Sequence, residues 1–188
     1  MKLDDKPLET VEFMKLLGLV VSDDLSWKRN TENLTKKAYG RLWSIQRLVK
    51  HGATLDDLID VYMKQVRSVL EFGVPVWNSS ITKEEVKDLE RVQKCFHQIA
   101  LGSDYSNYSD ALIQTGLETL EIRRTKLSLS FGKKAANHPK HSHWFKQTND
   151  KEVPNTRSIK PKFSEPKCRL ERFRNSPIPY LTRLLNEQ

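Results

Sequence analysis

The chain has 188 residues, 37% of them hydrophobic, and carries 32 basic against 24 acidic side chains for a formal net charge of +8. That composition gives a modest core for the length and favours a polyanionic partner. No apolar run approaches the roughly 20 residues of a membrane span, no secretory leader opens the chain, and Cys95 and Cys168 form neither a disulfide framework nor a CxxC pair. The expectation is a protein of a reducing, intracellular compartment, nucleus or cytoplasm, with no membrane segment and no cofactor.

The charge is unevenly placed. Residues 1–24 carry 3 basic and 6 acidic side chains, net −3, whereas 25–51 carry 7 and 1, net +6. Residues 52–137 nearly balance, and 138–188 return to net +6 with 11 basic and 5 acidic.

In chain order, the start reads as short strands: a turn at Asp4 to Pro7, a stretch from Leu8 to Val11, then a stronger apolar strand from Lys15 to Val21 with Gly18 inside it. From Arg29 to His51 the period becomes helical. Leu34, Ala38, Leu42, Ile45 and Val49 fall within about 80° of one another on a helical wheel, and His51-Gly52 closes the helix. A second helix opens on a capping box, Thr54 with Asp57, places Leu55, Leu58, Ile59, Tyr62, Val66, Val69 and Leu70 inward, and ends at Gly73 and Pro75. A third opens on Thr82 with Glu85 and stops at Gly102. A short helix over 109–115 and a longer one over about 118–137 follow. Beyond His138 come most of the eight prolines and many basic residues, a composition that supports no core of its own. No strand follows residue 21, so the sheet lacks neighbours, with an apolar face and edge left for another chain to cover.

Five pieces in order, "KLLGLVVSDDLSW", "KKAYGRLWSIQRL", "VLEFGVPVWNSSITKEEVKDLERVQKCFHQIALG", "GLETLEIRRTKLSLSFGKKAANHPKHSHWF" and "RFRNSPIPYLTRLLN", together resemble the region after the palm in jockey-like non-LTR retrotransposon reverse transcriptases. The resemblance covers nearly the whole chain. It implies a palm-end β remnant over 1–26 in which Lys15, Leu16, Leu17 and Gly18 resemble a primer grip, a helical thumb-like and connector domain over 27–137, and a basic, largely disordered tail over 138–188 ending in a short amphipathic element. The fold class expected is mainly α: a short β-hairpin or meander, a thumb-like bundle of about four to five helices, and a mostly irregular tail. The missing palm of the parent RNA-directed DNA polymerase is then a partner. The chain itself is not expected to be an enzyme. Two-metal phosphoryl transfer needs carboxylates from separate strands, and Asp4 and Asp5 in "KLDDK" have no aromatic ahead of them and read as a surface turn.

The best functional candidate is the first helix. With Leu34 at zero, Lys50, Lys36, Arg47 and Lys37 lie between about 160° and 300°, with Tyr39 and Trp43 close by on the outward side. A cationic face carrying an aromatic can neutralise phosphates and lie flat on a sugar or base, so the expected ligand is an RNA or DNA duplex bound without sequence preference. An ordinary solvated helix face has the same pattern. Arg41 falls on the apolar side, as an interface anchor or a paired buried arginine. Arg123 and Arg124, with Lys126, Lys133 and Lys134, form a second basic stripe that either extends the phosphate-binding surface or faces water. Gly18 permits close backbone approach, to a nucleic-acid strand or to a neighbouring element. His138, His141 and His143 lack a cysteine or carboxylate at ligand spacing and read as an exposed connector with no metal. Cys95 reads as a small apolar helix residue, Cys168 as a possible exposed thiol, and Trp77 as a core plug. Lys160, Lys162, Lys167, Arg169, Arg172 and Arg174 read as a flexible cationic segment. The other reading kept open is an inert retroelement relic or an adopted protein-interaction module with no affinity for nucleic acid.

Overall fold

The computed structural model describes residues 10–148 and 162–188, together with the backbone of Lys2–Leu3 and Lys6–Pro7. The fold is mainly α, as the periodicity predicts. Strands β1 (Lys2–Leu3) and β2 (Lys6–Pro7) pair antiparallel, and β3 (Phe13–Leu16) pairs antiparallel with β4 (Leu19–Ser22) in a separate two-stranded sheet. Asp4 and Asp5 lie outside the described residues.

The Lys15–Val21 segment is not one strand. It reverses at Leu17 and Gly18, with φ of 47° and 92°, so that Leu16 pairs with Leu19 and Phe13 with Ser22. Positive φ at both central residues is the backbone of a type I′ hairpin turn, whose twist matches that of the flanking strands. Because both arms are apolar, the hairpin reads in sequence as a single run. Thr10 and Val11 are not in a strand, and among the described residues β3 has no partner on its other edge.

Helix α1 (Lys28–Lys50) buries Leu34, Ala38, Leu42 and Ile45 of the stripe its period predicts, whereas Val49, in the last turn, is exposed. Asn30 near its start is also buried, and its Oδ1 accepts the Val20 N–H at 3.1 Å, which fastens the hairpin to the helix. Helix α2 (Leu55–Val61) opens on the Thr54–Asp57 capping box. It runs on through a π-helical stretch, Tyr62–Arg67, into α3 (Ser68–Leu70). The wider turn of a π-helix suits the four-residue spacing of Tyr62, Val66 and Leu70, all three fully buried.

Gly73, with φ of 67°, ends that helix, but Pro75 does not terminate anything. It sits in the first turn of a further short helix, α4 (Val74–Trp77), where its fixed φ and missing N–H cost nothing. Trp77 is fully buried and donates its Nε1–H to the Phe72 carbonyl at 2.8 Å. Helix α5 (Lys83–Leu101) begins on the Thr82–Glu85 capping box and stops at Gly102; α6 (Tyr108–Thr115) is capped by Asn107 and α7 (Leu120–Asn137) by Thr119. The core runs from Leu19 of the hairpin through α1 to α5 and on to Leu120.

Beyond α7 the chain is irregular over 162–170 apart from one bridge, Gln147 with Phe163. It is nevertheless anchored. Phe145, Phe163 and Leu181 form a small second cluster with Ala135 of α7. Asn186 exchanges two 2.9 Å hydrogen bonds with the Phe163 backbone. Helix α9 (Pro177–Asn186) packs on α7, and Arg172 and Arg174 sit on the short α8 (Glu171–Arg174) rather than in an irregular segment. Lys160 lies outside the described residues.

Candidate nucleic-acid interface

The sequence of α1 puts its apolar stripe on α5 and the α2–α3 helix, which turns the opposite face to solvent. Lys36, Lys37, Arg47 and Lys50 are exposed there, and among the described residues no carboxylate lies within ion-pair distance of any of them. The Arg47 guanidinium lies over the Trp43 ring, 4.8 Å from its centroid, and Trp43 is 59% exposed. Lys36, Trp43, Arg47 and Lys50 share a sector of about 60° over roughly 21 Å of helix; Lys37 stands to one side. Arg29 extends the same row one heptad earlier and was not singled out from the sequence. It is occupied, pairing with Glu12 at 2.9 Å and covering the Phe13 ring at 4.5 Å. Arg41 is exposed, and neither buried nor paired with a carboxylate: its guanidinium caps the Gln65 carbonyl in the π-helical stretch.

The second basic stripe is broken up: Lys133 and Lys134 are exposed, but the residues before them are not free. Arg124 is 1% exposed and donates Nε–H to Asn78 Oδ1 at 2.9 Å, so it faces the interior and cannot meet a duplex. Arg123 is half-buried and bound to Glu71 at 2.9 Å, a carboxylate that Arg67 also approaches at 3.3 Å. Lys126 is taken by Glu118.

The primer-grip-like residues sit at the hairpin end. Lys15, Leu16 and Leu17 are exposed, Leu17 to 91%. Gly18 meets its own chain rather than a ligand, because the Phe72 ring stands 2.9 Å from where a Cβ would be.

A groove of about 590 Å³ between α1 and α5 is lined by Glu32, Glu84, Glu85 and Asp88 with Tyr39 and Arg91 among others, a wall whose carboxylates repel a polyanion. Tyr39 therefore belongs to that groove and not to the cationic row. The His138 and His141 rings stack at 4.9 Å and His141 lies 4.5 Å from Trp144; no group of three His, Cys, Asp or Glu among the described residues is placed to share an ion. Burial raises the Cys95 thiol pKa, which leaves it protonated and unreactive.

A buried polar network, invisible to periodicity, joins three helical segments and the loop before α7. Tyr62 O–H donates to Gln93 Oε1 at 2.8 Å, while Gln93 Nε2 donates to Tyr108 Oη at 3.0 Å and to the Glu118 carbonyl at 2.9 Å. Burial raises both tyrosine pKa values, with the Glu90 carboxylate that accepts from Tyr108 adding to the second. Next to it His97 is fully buried with Nε2 3.1 Å from Thr115 Oγ1, and burial pulls its pKa from 6.5 down to about 4. Between those two values the unfolded chain binds a proton that the folded chain refuses, so stability falls as pH drops through the window. Acidification from pH 7 to 4.5 should remove on the order of 2 to 3 kcal/mol through this group. Urea midpoints at the two pH values check this: a His97→Gln variant should lose less on acidification than the native chain, and equal losses would exclude His97 as the cause.

Compared with protein-family profiles, curated proteins and solved structures, the chain matches none.

Proposed function

We propose that this chain is the post-palm, thumb and connector portion of a non-LTR retrotransposon reverse transcriptase, a fragment of an RNA-directed DNA polymerase that is not catalytic by itself. In this reading the outer face of α1 rests on the primer-template duplex. What supports it beyond the five-part sequence resemblance is one observation: Lys36, Arg47 and Lys50 stand exposed in a row around Trp43, with no carboxylate among the described residues within ion-pair distance. Cations so placed exchange condensed counterions for phosphates, and Trp43 offers a flat surface to a sugar or base. Neither contact reads base identity, so binding is not sequence-specific.

Fluorescence anisotropy of a labelled RNA–DNA duplex against salt tests this. With Lys37 included, four phosphate contacts give a slope of about −3.6 in log K against log salt. Absence of binding at about 50 mM salt, or an affinity indifferent to salt, would refute the reading. A protein-interaction module is the second reading, favoured by the exposed Phe13, Met14, Leu16 and Leu17 of the hairpin. It gains if duplex binding is absent and a protein partner masks residues 13–21.

A further inference from the structure

Among the described residues Arg124 is a buried charge that forms no ion pair, and its Nη1 is buried with no hydrogen-bond partner. Nε is held by Asn78, whose Nδ2 in turn donates to Tyr180 Oη at 3.4 Å, so the guanidinium is fixed in place by α4's end and α9. Burial lowers its pKa, with Glu90, Glu121 and Tyr180 pulling the other way. A buried guanidinium is costly to keep unless an anion compensates it.

Beside it lies a pocket of about 240 Å³ walled by Arg124, Asn78, Tyr180, Lys83, Glu121 and Thr125 among others. Lys83 is the first residue of the 19-residue α5, so the positive end of that helix borders the same space. The volume is below the roughly 300 to 1,000 Å³ of pockets for drug-sized ligands and suits one tetrahedral oxyanion. We propose that this pocket binds a single phosphate group, with Arg124 and Lys83 supplying the charge and Asn78, Tyr180 and Thr125 the polar walls. Glu121 on the same wall opposes the anion and sets a weak affinity. The site lies off the α1 row and stands whether or not a duplex binds there.

The full chain should be titrated with potassium phosphate against potassium chloride at matched ionic strength, following the melting temperature. Phosphate should raise it beyond chloride, because a ligand that binds only the folded state stabilises it. Lys83 and Glu121 are exposed, so their variants should fold. Lys83→Gln should weaken phosphate binding about threefold to fivefold, and Glu121→Gln should tighten it by a similar factor. Equal effects of the two salts, or a phosphate effect unchanged in both variants, would overturn the proposal. A 5′-phosphorylated oligonucleotide stabilising the chain more than its unphosphorylated twin, with the excess lost in Lys83→Gln, identifies the end of a strand as the source. Equal effects of the twins, with the orthophosphate response kept, identify a small free phosphate.

Discussion

A chain carrying Lys36→Glu, Arg47→Glu and Lys50→Glu is expected to lose measurable affinity for an RNA–DNA duplex at about 100 mM salt, with its salt slope smaller by about 3. Each cation removed releases one counterion fewer on binding, so the slope counts the contacts independently of the affinity itself. Trp43→Ala should behave differently. It removes a stacking surface but no charge, and so should weaken binding about tenfold or somewhat more while leaving the slope unchanged. Three glutamates at Lys64, Lys94 and Lys134 impose the same change in net charge on other helices. If that control weakens binding as much, the attraction comes from the field of the whole molecule and not from the α1 row.

Trp77→Ala should destabilise the fold by about 3 to 5 kcal/mol, read from urea unfolding at neutral pH. Trp77 is among the largest side chains with no exposure, and it fills the junction where α4 meets the rest of the core. Alanine leaves a cavity and also strips the Phe72 carbonyl of its indole donor. Trp77→Phe keeps most of the volume and loses the hydrogen bond, so its cost should be nearer 1 to 2 kcal/mol. A loss below about 1 kcal/mol for alanine would mean that the neighbours collapse into the space.

The helices that sequence marks at both ends are the ones whose limits the structure matches to within a residue or two. Thr54 with Asp57 and Thr82 with Glu85 are local signals, since a capping box needs only four residues to be complete. The α1 row was legible for the same reason: a helical wheel places exposed residues correctly once the apolar stripe is known. The β3–β4 turn was not, because alternation cannot be seen when both arms are apolar and the only mark of reversal is Gly18. The π-helical stretch leaves no periodic signature of its own over six residues. Arg124 shows the limit most sharply. Its wheel position lies on the buried stripe between Leu120 and Ser128, which a charged residue alone does not announce, and the group that receives it there is Asn78, 46 positions away and itself hydrogen-bonded to Tyr180, 102 positions beyond Asn78. No window of sequence contains that arrangement.

The contacts of the hairpin bear on where the molecule can be cut. Leu19 methyl groups occupy the space that a side chain on Gly73 would need, Phe72 covers Gly18, and Asn30 holds the Val20 amide. Residue 26 therefore marks a change of secondary structure but no seam of stability. Excising the helices from Trp27 onward would open a notch above Gly73 and strip Asn30 of its mate, so the small β element acts as a buttress to a helical core whose other buried residues all lie beyond Trp27.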